Sequence, residues 1–229
     1  NTYHMQRLFL VGLSGSGKTT IGREAAHLLG WDFTDTDDLL AARCGMPVGQ
    51  ALIEYGEARF RQLESEALAS VAEKERVVVA TGGGVVSAEA NRAFMREHGL
   101  VIYLRTPVEI AWERVQEQMR YGGPPAVRPL LAGDDGQQQL QALYEARRQW
   151  YEEAEVHIET SGVSYDRVAR QVVAAALVRG YIAPVTRGEL HGDGKRRHDR
   201  NLYEAASTPE YRRGDPRGPY TVSYTHLRA

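Results

Sequence analysis

The run Gly12-Leu13-Ser14-Gly15-Ser16-Gly17-Lys18-Thr19-Thr20 constrains this chain more than any other stretch. It follows the apolar run Leu8-Phe9-Leu10-Val11 and leads into a helix-forming segment over 21–29, so it reads as strand, glycine-rich turn, helix. Gly12, Gly17, Lys18 and Thr19 fit the G-x-x-x-x-G-K-[ST] phosphate loop. Glycines let successive backbone N–H groups turn inward on phosphate oxygens, and the helix that starts there adds the positive end of its dipole. Gly15, Ser16, Gly17, Lys18, Thr19 and Thr20 are therefore the candidates for holding a nucleotide triphosphate. Lys18 is expected to reach the β- and γ-phosphates, and the Thr19 hydroxyl to ligate Mg²⁺.

The rest of the chain alternates apolar runs with helical periodicity. Strands are expected at 31–34, 77–80, 100–104 and 156–159, and helices at 18–29, 38–44, 57–74, 87–98, 106–119, 137–153 and 164–179. A short piece at 48–55 starts at Pro47 and is broken by Gly56. Ser87 is the expected cap of one helix, and Thr106-Pro107 the cap and first residue of another. Val77-Val78-Val79-Ala80 is a β-branched run of the kind buried in parallel sheets. Such alternation predicts an α/β three-layer sandwich, a parallel sheet covered on both faces. Ligands in these sheets lie beyond the carboxyl ends of the strands. The phosphate loop, Asp35-Thr36-Asp37 and Gly82-Gly83-Gly84 each follow a strand directly, so they should meet at one edge.

Each candidate has a plainer reading beside the chemical one. Asp35 and Asp37, placed on one face of an extended segment, can hold Mg²⁺ through water or accept a proton from an attacking hydroxyl; they can equally be a helix N-terminal pair. Arg61 and Glu64, three apart on a helix, form either a surface ion pair or a forked donor for a substrate carboxylate steadied by its acid partner. Three glycines at 82–84 bring bare backbone close to something, where a tight turn needs fewer.

Composition sets limits. Of 229 residues 42% are hydrophobic, enough for an ordinary core. The single cysteine, Cys44, excludes an internal disulfide and suits a reducing, cytoplasmic compartment. No segment has the apolar length of a membrane span, and a net charge of −2 argues against nucleic acid as a partner. The opening Asn1-Thr2-Tyr3-His4-Met5 reads as a fragment edge. From Val185 onward there are 9 Lys+Arg against 6 Asp+Glu, in a polar stretch without periodicity, read as a disordered tail over 185–229. Residues 221–229, T-V-S-Y-T-H-L-R-A, look like translated sequencing-adapter read-through.

The motifs G-L-S-G-S-G-K-T-T, D-T-D, F-R-Q-L-E, G-G-G, R-P-L-L and R-R-Q-W-Y, in this order over about Arg7 to Arg179, resemble those of the shikimate kinases. The resemblance implies the nucleoside-monophosphate-kinase type of fold over 1–184, with a five-stranded parallel sheet and a mobile lid. It implies ATP-dependent phosphorylation of the shikimate 3-hydroxyl, in aromatic amino-acid biosynthesis, with Mg²⁺ and ATP bound and the chain a monomer. Carried over by position, Asp37 would hold the ring hydroxyls and take the proton. Arg61 and Arg147 would grip the carboxylate, and the glycines at Gly82, Gly83 and Gly84, Gly83 above all, would contact the acid. Arg128 in the R-P-L-L lid would close over the phosphates and offset charge in the transition state; Arg114 would stack on adenine. Thr19 would ligate the metal and Asp35 its waters. The lid is longer than in compact members, with Tyr121-Gly122-Gly123-Pro124-Pro125-Ala126 ahead of Val127-Arg128. A late arginine that some members use on the nucleotide has no match; Val163 or Ser164 stands near that place. Two other readings remain: a gluconate-type small-molecule kinase, and a kinase-like shikimate-binding regulatory module.

Overall fold

The computed structural model describes residues 6–121, 131, 133–182 and 220–222. Five parallel strands form the sheet expected from the sequence: β1 (Arg7–Val11), β2 (Asp32–Asp35), β3 (Val77–Ala80), β4 (Leu100–Arg105) and β5 (Val156–Glu159). A sixth, β6 (Tyr220–Val222), pairs in parallel along β5, so the order is β2-β3-β1-β4-β5-β6. Those three residues lie within the stretch read as a disordered tail.

The period-two alternation of β1 shows why the sheet is covered twice. Leu8 and Leu10 face one layer, α1 (Lys18–Leu29) and α7 (Tyr165–Val178), with Ile21, Ala25, Val168 and Val172 buried between. Phe9 and Val11 face the other, with Leu68, Met95 and Tyr151 from α3 (Val48–Ala69), α4 (Glu89–His98) and α6 (Gly136–Tyr151). Two further helices, α2 (Thr36–Cys44) and α5 (Val108–Tyr121), complete the set among the described residues. No helix of these residues is long and apolar enough to cross a membrane.

Several boundaries differ from expectation, each for a local reason. The helix read as starting near Asp38 begins at Thr36, because Asp35 caps it. The pieces at 48–55 and 57–74 are one helical run broken at Gly56, whose backbone is left-handed in φ (φ 73°), and the run ends at Ala69 in a 3₁₀ turn, Ser70–Glu73. Ser87 does not cap α4. The chain after the three glycines closes a 3₁₀ turn, with Val85 N–H donating to Gly82 O and Ser87 N–H to Gly84 O, so the helix starts later, after an Ala88 that makes no side-chain cap. The Thr106 hydroxyl is paired with that of Thr160 at 2.5 Å, and α5 starts at Val108.

Candidate active site

β1 sits where the strand order reverses: the chain leaves it toward β2 and β3 on one side and later adds β4 and β5 on the other. A crevice opens at such a switch point, and the phosphate loop is the turn that leaves it. Gly15 and Gly17 both have positive φ, 83° and 90°. A Cβ at Gly15 would collide with the Ala111 backbone of α5, and one at Gly17 would lie 2.9 Å from the Tyr165 ring. The loop is closed by Ser16 N–H donating to Leu13 O at 3.1 Å, and α1 opens with no side-chain cap. Its first N–H groups, at Lys18, Thr19 and Thr20, thus belong to an uncapped helix N-terminus, the kind of site that suits an anion. The Lys18 ammonium lies along the loop, donating to Gly12 O at 2.7 Å and Leu13 O at 2.8 Å, and is 8% exposed.

Asp35 divides its carboxylate. Oδ1 accepts the Asp37 N–H at 2.9 Å, which is the helix cap, and Oδ2 accepts the Thr19 hydroxyl at 2.8 Å. The helix-cap reading of Asp35 therefore holds, and its other oxygen is paired with the phosphate-loop hydroxyl. The expectation that Asp35 and Asp37 share a face of an extended segment does not: the chain turns helical at Thr36, so strand alternation does not apply. Asp37 instead turns toward Gly82, where a Cβ would lie 2.7 Å from its Oδ1.

The acceptor side is built from α3, α6 and the glycine turn after β3. Arg61 Nη1 pairs with Glu64 Oε2 at 2.9 Å, and Glu64 is buried, 3% exposed. Burial pushes the Glu64 carboxyl above the ordinary glutamate value, and the Arg61 and Arg147 guanidiniums pull part of the way back. Arg147 is also buried, 8% exposed. Each of the three glycines makes room for a different neighbour. Gly82 abuts Asp37; a Cβ at Gly83 would lie 3.3 Å from Ser14 Oγ and 3.7 Å from Arg147 Nη1; one at Gly84 would run into the Arg61 guanidinium. The turn is held by Gly82 N–H donating to the Thr36 hydroxyl at 2.9 Å and by the Tyr151 hydroxyl donating to Gly83 O at 2.6 Å.

Two clefts result. One of about 360 Å³ is lined by Asp37, Arg61, Glu64, Gly82, Gly83, Gly84 and Arg147, with Val48, Leu52, Phe60, Leu131 and Leu143 as apolar walls. The other, about 100 Å³, is lined by Gly15, Gly17, Lys18, Thr19, Thr20, Asp35, Thr81, Arg114, Gln118 and Tyr165. Ser14, Asp37 and Gly83 line both, so the two clefts join at the aspartate. Arg114 donates from Nη1 to Gly15 O at 3.3 Å, with its guanidinium carbon 5.2 Å from the centre of the Tyr165 ring.

The expected site residues from Gly15 to Arg147 that are described thus gather around one joined crevice; Ser16, fully buried, supports the loop from beneath. Arg128 lies outside the described residues. Sequence reasoning missed Ser14, Gln118, Tyr151 and Tyr165. Tyr165 follows the position at which a late arginine was sought and has no motif of its own; its position is a product of the α1–α7 packing.

The residues present suit Mg²⁺ and a nucleotide. A hydroxyl and a carboxylate side by side at Thr19 and Asp35 are the hard oxygen donors that this ion takes beside water and phosphate.

Comparison with known proteins is consistent with this architecture. A family model described as shikimate kinase matches residues 14–177. A shikimate kinase of Halorhodospira halophila is 41% identical over 170 residues, covering 74% of this chain and 92% of the relative. One from Gloeobacter violaceus is 42% identical over 156 residues, covering 68% and 84%. Among solved structures, shikimate kinase from Acinetobacter baumannii in complex with shikimate superposes with a TM-score of 0.70 at 33% identity, over 77% of this chain and 96% of that one. Motif order, parallel sheet and matched length agree, and the chain belongs to the shikimate kinase family.

Proposed function

We propose that the chain transfers the γ-phosphoryl group of ATP to the 3-hydroxyl of shikimate, giving shikimate 3-phosphate and ADP for chorismate and aromatic amino-acid biosynthesis. One observation carries the reading: a cleft bearing two guanidiniums, the buried Arg147 and the half-buried Arg61, meets the phosphate-loop cleft at Asp37. A small hydroxylated acid needs arginines for its carboxylate and a carboxylate to select its hydroxyls, since an ionised aspartate only accepts hydrogen bonds.

In this reading Arg61 and Arg147 grip the acid's carboxylate, with Glu64 fixing the Arg61 fork. The glycine turn lets the ring approach the backbone. Asp37 accepts a hydrogen bond from the reacting hydroxyl and takes its proton as the oxygen attacks. The α1 amide groups and Lys18 hold the phosphates. Thr19 and Asp35 would hold Mg²⁺, which would supply positive charge against the phosphates. Arg114 stands at the base end of the nucleotide cleft. Arg128 closes over the phosphates and excludes water as a competing acceptor. The enzyme works as a cytoplasmic monomer.

A coupled ADP-release assay with shikimate, gluconate and nucleoside monophosphates tests this. Shikimate-dependent ADP release alone is the expected result. Preference for gluconate would move the acceptor assignment, and shikimate binding without turnover would make the chain a ligand sensor.

A further inference from the structure

We infer that Tyr151 is a positioning residue of the acceptor site, whose hydroxyl holds the Gly83 carbonyl, and with it the glycine turn, in place beside the Arg147 guanidinium. The inference rests on the shikimate reading of that cleft.

A phenol hydroxyl has one proton to give and lone pairs to receive with. Tyr151 gives its proton to Gly83 O at 2.6 Å, and the Arg147 guanidinium lies against the same turn, Nη1 3.7 Å from where a Gly83 Cβ would stand. Both partners line the acceptor cleft. Burial pushes the phenol up to about 12, so it stays protonated and keeps donating through the neutral range. The ring itself has no freedom. It is fully buried and stacked on Tyr103, centroids 5.3 Å apart and planes 20° apart. Tyr103 belongs to β4, so the hydroxyl is referenced to the sheet rather than to a surface helix.

Gly83 needs such a tether. Glycine leaves its peptide planes free to rotate. The carbonyl of Gly83 and the N–H of Gly84 share one rigid plane and point opposite ways. Fixing the carbonyl therefore fixes the direction of the next N–H, beside Arg61. Losing the hydroxyl would leave the part-buried Gly83 carbonyl short of its partner and free that peptide plane to turn.

Tyr151→Phe keeps the ring and its stacking and deletes only the hydroxyl. The full-length variant should raise KM for shikimate up to about tenfold, the upper end for one hydrogen bond. KM for ATP should stay near wild type, and the melting temperature should fall by no more than a few degrees, the effect of one carbonyl left without its donor. In an Arg147→Lys background the same substitution should change KM for shikimate much less, because the two residues act as a unit. An unshifted KM for shikimate overturns the inference. So does an equal rise in both KM values, or a variant too unfolded to bind ATP, since either assigns Tyr151 to the core alone. Wild-type protein that turns over no shikimate overturns the functional reading first, and is distinguished by needing no variant.

Discussion

A Cβ at Gly84 would run into the Arg61 guanidinium, while the backbone there, at φ −93°, suits any residue. Gly84→Ala is therefore free of backbone strain, and the obstructed group is the far end of a flexible side chain that can swing aside. Stability should hold or rise slightly, because alanine restricts the unfolded chain by about 0.4–1 kcal/mol more than glycine does. Displacing the arginine should raise KM for shikimate at least about tenfold, a loss of the order of one charged hydrogen bond, and leave KM for ATP unmoved. Paired kinetics and thermal melts check both halves. Glu64 offers the complementary case. Its carboxyl titrates higher folded than unfolded, burial being the larger cause and the two arginines the smaller. In the pH range between the two values the folded state holds more protons. Its contribution to stability is thus complete below the unfolded value and is lost as pH rises through the folded one. Glu64→Gln should flatten that part of the stability–pH curve and leave the melting temperature at neutral pH unchanged or higher. The Arg61 fork would then keep only a neutral amide oxygen in place of the carboxylate, and KM for shikimate should rise. A variant that melts lower than wild type at neutral pH would show that pairing outweighs burial.

At the scale of elements, Arg7 shows how a strand can tie two helix ends together. Its guanidinium donates to Val71 O, Ala72 O and Lys74 O around the 3₁₀ turn and to His98 O at the end of α4, at 3.2, 2.5, 2.6 and 3.3 Å. Carbonyls left over at helix ends attract a cation. This explains why the helix read as running to residue 74 stops at Ala69: its last carbonyls are turned toward a buried donor supplied from far earlier in the chain, which no local pattern reveals. Arg7→Ala should cost about 3 kcal/mol, in the range for breaking a buried hydrogen-bond network, and lower the melting temperature by roughly 10 °C. Arg7 lies at the amino end of β1 and the crevice at its carboxyl end, so both KM values should be unchanged in the folded variant. Other elements were open to sequence reading because their signals were local. Gly30 and Gly45 terminate α1 and α2 in the left-handed conformation, and Val156–Glu159 is a strand as its pattern predicted. Ser87 misled because a serine ahead of a helix looks like a cap wherever it stands. The preceding glycines decide instead, by closing a 3₁₀ turn that consumes it.

On the scale of the whole molecule, the crevice follows from strand order alone, and its nucleotide half was legible because the phosphate loop is contiguous in sequence. The acceptor half was legible only in pieces. Arg61 and the three glycines stand in motifs, but spacing could not bring Arg147 to them; only the resemblance did. Tyr151 closes the R-R-Q-W-Y motif and Tyr165 stands in none, and the sequence assigns a role to neither, since their partners come from the turn after β3, from α5 and from the loop after β1. The same reasoning separates the chain into what the crevice needs and what it does not. Helix α7 closes the layer beneath β1, and Ile182, just past it, is still packed in that core. The family match ends at residue 177. Beyond Ile182 the only described contribution is β6, which pairs Tyr220, Thr221 and Val222 with Val156, His157 and Ile158. That edge lies three strand spacings from β1, about 14 Å, and among the described residues β6 pairs with β5. A chain ending at Ile182 should therefore keep kcat and both KM values within roughly twofold, as expected for distant sites without common contacts. It should lose little stability, because three paired residues at a sheet edge contribute on the order of 1 kcal/mol per hydrogen bond at most. Parallel melts and steady-state kinetics on the two lengths decide the matter. If the shorter chain fails to turn over shikimate while the longer one does, the segment after Ile182 belongs to the working enzyme, and the crevice described here is incomplete without it.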